Sequence, residues 1–433
     1  IDSWSAENEK IVRLDGEWEF YWNKIIGFQD LGKIKPDLFA AVPSSWDSYS
    51  VDHKKLNGTG YGTYRLHVKT SLPKDTLLGL RVYTFSSAYQ LYVDEKLVGS
   101  AGTVGVSAAE EKGEYKPKVL FFNIPSNEFD ILIQVSNFTY DRGGFWYSIY
   151  MGNPDKIISL HDRYMAKEIS VLGALLLISL FFFAIYMLRK ELRYALYFSF
   201  LCIILIFSVD LVGQFLLVRV IPGLSLKLII LLWYSVTTWL LFFLILFIHE
   251  LFKSRFSTLV LRLYFIISVL SQILFIMTPT AYYTKFAHIS NYFDMAGALC
   301  SIISVAIGIK KGYKDGWLNI ASMVIALITY IHDDLYWTNV INSGYGEFTY
   351  IGLFLFILLQ MMIQANRIRQ FQDQKVAAEL RFLQAQIKPH FLFNALNTFI
   401  SISFYDIEKA RKLLTEFSNY LRKSFSFKDA NQF

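Results

Sequence analysis

The chain has 433 residues, of which 54% are hydrophobic, 17% aromatic and only 18% charged. That balance excludes an ordinary soluble enzyme and points to membrane spans in a protein of two to four domains. The excess of six positive charges is modest and fits membrane topology better than nucleic-acid binding. The two cysteines, Cys202 and Cys300, fall inside apolar runs, so they read as small core residues and imply no disulfide framework. No residues are assigned to a metal. The chain opens at Ile1-Asp2-Ser3 without a basic and apolar leader, so we expect either a removed signal peptide or a start downstream of one.

Residues 1–155 alternate short β-type runs with turn signals. The runs at 81–83, 90–93, 119–122 and 131–135 are bounded by Gly, Pro, Asn or Asp, a spacing that predicts a β-sandwich or jelly roll. The segments Leu-Asp-Gly-Glu-Trp-Glu-Phe at 14–20, Val-Pro-Ser-Ser-Trp at 42–46, Gly-Tyr-Gly-Thr-Tyr-Arg at 60–65 and Val-Asp-Glu-Lys-Leu-Val-Gly at 93–99 resemble stretches of galactose-binding-like jelly rolls. In sugar-processing enzymes that fold is an accessory, non-catalytic domain. The resemblance makes a carbohydrate a candidate ligand. Trp46, Tyr61 and Trp146 would stack on a sugar face, and Asn137 or Arg142 would offer hydrogen bonds. The alternative is that the aromatics are core residues of a tryptophan-rich sandwich.

Seven apolar runs follow, near 168–188, 194–217, 226–248, 258–278, 286–309, 316–337 and 347–366, each about the 20 residues that cross a bilayer. Arg189, Lys190 and Arg193 follow the first, Lys253 and Arg255 the third, and Lys310, Lys311 and Lys314 the fifth; the other connections hold fewer. By the positive-inside rule residues 1–155 are extracellular and the C-terminus is cytoplasmic, in a bacterial cytoplasmic membrane. Ionisable residues in spans are costly and are functional candidates. Asp210, Asp294 and the His332-Asp333-Asp334 group all fall in outer helix halves, with Arg219, Lys227 and Lys285 near the same surface. They predict a polar cavity that opens outward and either receives a small ligand or docks the jelly roll. A structural hydrogen-bond network near helix ends is the alternative, and a transporter whose acids carry ions is a further reading.

Beyond the last span Lys, Arg, Gln and Glu dominate, with no Pro or Gly before Pro389, so residues 367–388 read as a continuous signalling helix. Val376, Leu380, Leu383 and Ile387 make a four-three-four seam, and Ile407, Ala410, Leu414, Phe417 and Leu421 make a second. With a turn near 403–406 they predict a helical hairpin at 389–433, two of which form a dimeric four-helix bundle. Pro389 removes a backbone donor and is expected to kink the helix and turn His390 to solvent.

The stretch Gln386 to Asn397, Gln-Ile-Lys-Pro-His-Phe-Leu-Phe-Asn-Ala-Leu-Asn, resembles the phosphoacceptor region of LytS-type (autolysin-sensor) histidine kinases. The resemblance implies that His390 accepts a phosphoryl group from ATP and passes it to an aspartate on a cytoplasmic response regulator. Imidazole suits this, being nucleophilic near neutral pH. Many other histidine kinases place an acidic base directly after the histidine; here Phe391 stands there, and the base is not identified. Asn394 occupies the place where related kinases keep an amide or hydroxyl for dephosphorylating the regulator. An outer jelly roll, seven spans (residues 156–366) and an inner signalling module also resemble the bacterial seven-transmembrane receptors with diverse intracellular signalling modules. In these a histidine–aspartate signature is similar to Ile331 to Tyr336. No asparagine-rich nucleotide box or Gly-rich lid follows the hairpin, so ATP with Mg is expected to bind a domain absent from this chain, which alone should be inactive. The expected partners are a second copy of the chain, a response regulator, membrane lipid and an unidentified extracellular ligand or protein, without nucleic acid. The alternative function is a membrane-anchored carbohydrate- or ligand-binding receptor without kinase activity.

Overall fold

The computed structural model describes residues 11–313, 315–337, 348–386 and 389–426. The N-terminal part is a sandwich of two antiparallel sheets. One has six strands in the order Lys96–Ala101, Ala88–Val93, Glu128–Asn137, Gly60–Lys69, Gly16–Trp22 and Leu38–Val42. The other has four, Val12–Arg13, Tyr150–Gly152, Leu77–Val82 and Lys118–Asn123. Strand alternation sends Trp18 and Phe20 into the core and Glu17 and Glu19 away from it. On the outer face of the six-stranded sheet Arg65 bridges Glu19 at 2.9 Å and Asp130 at 3.1 Å, tying three neighbouring strands. Core rings close the interior: Phe20 and Tyr64 lie 4.6 Å apart, and Phe85 and Phe145 lie 4.8 Å apart.

Helix α1, Pro154–Leu188, leaves the sandwich after the last strand. Asn153 caps it by accepting the Asp155 amide at 2.9 Å, and Pro154 fits the first helical position, where no amide partner is needed. Then come α2 (Arg193–Val212), α3 (Leu216–Val220), α4 (Leu226–Leu251), α5 (Arg255–Met277), α6 (Thr280–Tyr283), α7 (Ala287–Lys310), α8 (Gly316–Trp337) and α9 (Thr349–Gln386). Among the described residues seven of these, α1, α2, α4, α5, α7, α8 and α9, carry segments long and apolar enough to cross a membrane. Leu177, Leu259 and Met277 are among the many apolar side chains left exposed on them, as lipid contact requires. The second span ends earlier than its hydropathy suggests, at Val212. Gly213 follows it, and Phe215 takes a left-handed conformation (φ 53°) before the short α3. The protein is therefore a multidomain membrane protein, with a β-sandwich, seven apolar helices and a helical C-terminal region.

The C-terminal unit contains α10, Pro389–Ser403, and α11, Ile407–Ser426, packed as a hairpin. Asp406 caps α11 by accepting the Lys409 amide at 2.9 Å. Phe417 meets Phe399 at 5.2 Å and Phe391 at 6.0 Å between ring centroids. α9 runs unbroken over 38 residues, about 57 Å at 1.5 Å per residue. α9 is described to Gln386 and α10 from Pro389, so the expected kink falls on residues outside the described ones. Ile387 and Lys388, with the expected seam position at Ile387, lie outside the described residues, as does the C-terminal end from 427.

Candidate functional site

His390 is the second residue of α10 and is exposed. One turn on, Asn394 places its amide nitrogen 3.2 Å from His390 Nδ1 and 3.4 Å from Nε2. The four-residue spacing puts the two on one helix face. A ring held by one neighbour and otherwise open to solvent can act as a nucleophile toward a bulky phosphorylated donor. The amide can donate to Nδ1 or, flipped, accept the Nδ1 proton; the second arrangement leaves the Nε2 lone pair free to attack.

Hairpin packing differs in one respect from the expected seam. Leu413, Phe417 and Leu421 are half-buried and Ala410 is buried, whereas Leu414 is exposed. On α10 the half-buried set is Leu392, Ala395, Phe399 and Ile402. A second apolar face stays open, with Phe393, Leu396 and Ile400 on α10 and Ile407 and Leu414 on α11. Val376 and Leu380 of the first seam are also exposed.

The proposed sugar platform is not assembled. Trp46 is fully buried: its indole N–H donates to the Gly58 carbonyl at 2.8 Å and its ring meets Trp22 edge-on at 5.1 Å. Asn137 is also fully buried, donating to the Gly58 and Tyr140 carbonyls at 2.7 Å and accepting the Tyr140 amide at 3.0 Å. Both are framework, because strands distant in sequence close over them. Tyr61 is half-buried and Arg142 exposed, while Trp146 packs edge-on against Tyr140 at 5.3 Å in a cluster where the sandwich meets the helices.

No local sequence pattern announces that cluster. Tyr83, Tyr115 and Tyr140 of the sandwich pack with Phe215, Leu226, Ile230, Tyr234 and Tyr283 of the helical part. Polar tips find partners across the joint, as tyrosine at a wet–apolar boundary does. Tyr83 donates to the Val212 carbonyl at 2.7 Å, Arg81 to the Gln214 side chain at 3.1 Å, and the Asp141 amide to Thr284 Oγ1 at 3.1 Å. The hydroxyls of Tyr140 and Tyr234 lie 3.1 Å apart. Glu168 of α1 accepts the Gln214 amide at 2.6 Å, so one short segment after α2 is held by the sandwich and by α1 together. Close to this joint Glu111 accepts bonds from Ser87, the Phe138 amide and Thr139. Burial pushes its carboxyl above the ordinary value, against the downward pull of those bonds and of Lys227. A density of tyrosines in the loops next to the spans was the available signal.

The intramembrane acids do not form one outward cavity. Asp210 accepts the Leu217 amide at 3.1 Å and so closes the turn between α2 and α3. Asp333 accepts the Phe348 amide at 2.9 Å and the Thr349 amide at 2.7 Å, capping α9, and pairs with His332 Nδ1 at 2.8 Å. Asp334 is exposed, and Asp294 is half-buried on α7, beside the Phe293 carbonyl that receives Tyr264. Backbone amides at helix starts have claimed two of the acids, which is the structural alternative. Uncharged amides pair between the spans as well: Gln360 of α9 is fully buried and donates to Asn319 Oδ1 at 3.2 Å and Ser322 Oγ at 2.9 Å on α8.

Residues 167–367 match the family described as 7TM diverse intracellular signalling, and residues 378–433 match the family described as Histidine kinase. These two regions are similar to parts of membrane sensor kinases of the LytS type. It is 39% identical over 75 residues to the sensor histidine kinase YpdA of Escherichia coli, covering 17% of this chain and 13% of that protein. To the sensor protein LytS of Bacillus cereus it is 60% identical over 45 residues, 10% of this chain and 8% of the relative. A Bacillus subtilis protein, the putative uncharacterized protein YwpD, is 56% identical over 59 residues, 14% of this chain and 21% of its own length. The chain thus spans about a fifth or less of the curated relatives it matches. The sandwich has a likeness to a GH2 beta-galacturonidase from Eisenbergiella tayi, at 18% identity and a TM-score of 0.25 over 33% of this chain and 24% of that one. So low a score carries no weight; the sandwich rests on its own strand order.

Proposed function

We propose that the protein is the sensor and phosphoacceptor of a bacterial two-component system. An extracellular signal acts on the sandwich, and the seven spans and α9 control ATP-dependent phosphorylation of His390, whose phosphoryl group then passes to a response regulator. The observation that carries this is the exposed His390, paired with Asn394 within the matched histidine-kinase region. In the chemical step one imidazole nitrogen attacks the γ-phosphorus of ATP, the bond to the ADP oxygen breaks, and the ring loses the proton on its other nitrogen. ATP is the substrate, presented with Mg by a domain outside residues 1–433. This chain's part is the nucleophile and its positioning.

The open apolar face of the hairpin supports a homodimer, each copy covering the other's Leu396, Ile400 and Leu414. Excess Lys and Arg after the odd-numbered spans supports an outer sandwich and an inner His390. The division at 1–155, 156–366, 367–388 and 389–433 is retained as a working scheme, as is a dephosphorylating role for Asn394. Tyr61, Arg142 and the edge of Trp146 remain candidate contacts for a ligand. A ligand-binding receptor without kinase activity is disfavoured by the match at 378–433.

The test uses membranes carrying the protein together with its nucleotide-binding domain, incubated with labelled ATP. Acid-labile label on the native protein, and none on His390→Ala, is the expected result. Label that persists in the variant, with both proteins equally inserted, would overturn the assignment.

A further inference from the structure

The strands Lys96–Ala101 and Lys118–Asn123 are edge strands of the two sheets and lie against each other. They are closed at one end, where the Lys118 ammonium donates to the Ser100 carbonyl and a Cβ at Gly99 would lie 2.5 Å from Leu120 Cδ2. At the other end a groove of about 650 Å³ opens, within the ~300–1,000 Å³ range of small-molecule sites. That end is remote from the spans: the ten residues of Glu128–Asn137 run about 33 Å, at about 3.3 Å per residue, from the groove to the joint, where Asn137 bonds to the Tyr140 carbonyl and amide. The two-residue turn Asp94–Glu95 forms the rim. Asp94 takes a left-handed conformation (φ 47°), held because its Oδ1 accepts the Asp130 amide at 2.9 Å and its own amide donates to the Asp130 carbonyl at 2.8 Å. Asp94, Glu95, Lys96 and Asn123 line the groove. Among the described residues, Asp94 Oδ2, the Glu95 carboxylate, the Lys96 ammonium and the Asn123 amide have no hydrogen-bond or ion-pair partner. The charges on the neighbouring sheet face differ: Arg65 pairs with Glu19 and Asp130, and Lys69 pairs with Glu128. Phe28 and Leu31, half-buried on the connection between Gly16–Trp22 and Leu38–Val42, supply an apolar wall.

We propose that this groove binds a short peptide with free termini. Two unpaired carboxylates against one unpaired ammonium leave the rim net negative, which favours a ligand that carries a cation. The terminal ammonium of the peptide meets Asp94 and Glu95, and its terminal carboxylate meets Lys96. A peptide group bonds to Asn123, and an apolar side chain covers Phe28 and Leu31. A neutral sugar would leave charges of both signs unanswered, and an apolar anion would face the two carboxylates. On the reading that the sandwich receives the extracellular signal, the signal enters here, and Ala88–Val93 and Glu128–Asn137 lead from the groove to the joint.

The test incubates the full chain in lipid nanodiscs with an equimolar library of tripeptides with free termini, and separately with the same library N-acetylated. Mass spectrometry reads the retained peptides, and protection of 94–98 and 123–127 from hydrogen exchange reads the place of binding. The native protein should retain free-amine peptides and show protection in both segments. N-acetylation, or Asp94→Asn with Glu95→Gln, should lower retention about tenfold, the loss of about 1.4 kcal/mol of charge contact. Glu17→Gln, at an exposed position of Gly16–Trp22, should change nothing. Unchanged exchange in the core strand at 131–135 checks that the variants are folded, and the N-acetylated library needs no variant at all. Equal retention of the two libraries, equal retention by the double variant, or no retention would overturn the proposal. So would protection of the same segments by a mixture of neutral trisaccharides and not by the tripeptides. Binding is read without phosphoryl transfer, so its failure is distinct from a failure of the kinase reading.

Discussion

At the scale of single residues, what a side chain can do is set by who closes over it. His390 was legible because twelve adjacent residues carry its context, and the structure leaves it exposed. Trp46 was not legible: a tryptophan on a sugar platform and one in a sandwich core look alike until the Gly58 carbonyl and Trp22 are brought beside it. Glu111 shows the same dependence with a measurable consequence. Its folded carboxyl titrates above its unfolded value because it is buried. The protonated form is therefore favoured in the folded state. Its contribution to stability is fully present below the unfolded carboxyl value and is lost as pH rises through the folded one. Glu111→Gln keeps an acceptor for Phe138 and Ser87 without the buried charge. Thermal unfolding of the chain in detergent should lose less stability in the variant than in the native protein between pH 4 and pH 8, on the order of the carboxyl titration range. An unchanged pH slope would place the sensitivity elsewhere.

At the scale of elements, periodicity announces a helix but not which of two apolar stripes meets which partner. The sequence of α11 offers Leu413 and Leu414 side by side, about 100° apart around the helix. The structure leaves Leu413 half-buried and Leu414 open. The two should therefore fail differently. Leu414→Glu, or Leu396→Glu on α10, should leave the hairpin folded and dissociate the proposed dimer, seen as a halved mass in detergent. Leu413→Glu should instead disorder the hairpin, seen as lost helical signal and rapid hydrogen exchange. The cost there is about 2–3 kcal/mol, because a charge is placed at a half-buried position of the hairpin. A dimer that survived both open-face variants would put the contact on the spans. The polar seat for Gln360 was hidden for a related reason. Ionisable residues stand out in an apolar run, whereas Asn319, Ser322 and Gln360 acquire meaning only when two helices bring them together.

Taken as a whole molecule, the sandwich can inform the spans through α1 and through the surfaces where they touch. Strand runs and apolar spans were readable because each repeats a local pattern. Their joint repeats nothing and is assembled from single tyrosines far apart in the chain. The Tyr140 and Tyr234 hydroxyls, 3.1 Å apart, cross that joint directly, and both rings are buried. A neutral hydrogen bond of this kind contributes about 0.5–1.5 kcal/mol. Removing one hydroxyl leaves its partner buried and unsatisfied, which is worse than removing both. Tyr140→Phe and Tyr234→Phe should therefore each loosen the joint, and the double variant should recover part of the loss, a non-additive coupling of about 1 kcal/mol. Hydrogen exchange of the segment at 212–215, which Tyr83, Arg81 and Glu168 also hold, provides the readout. Tyr21→Phe supplies the control, since Tyr21 bonds to Glu19 within the sandwich and touches no span. Faster exchange at 212–215 in each single joint variant, with the control unchanged, would make this contact a working connection between sandwich and spans. Additive effects, or none, would leave Arg81, Tyr83 and Glu168 to carry that connection.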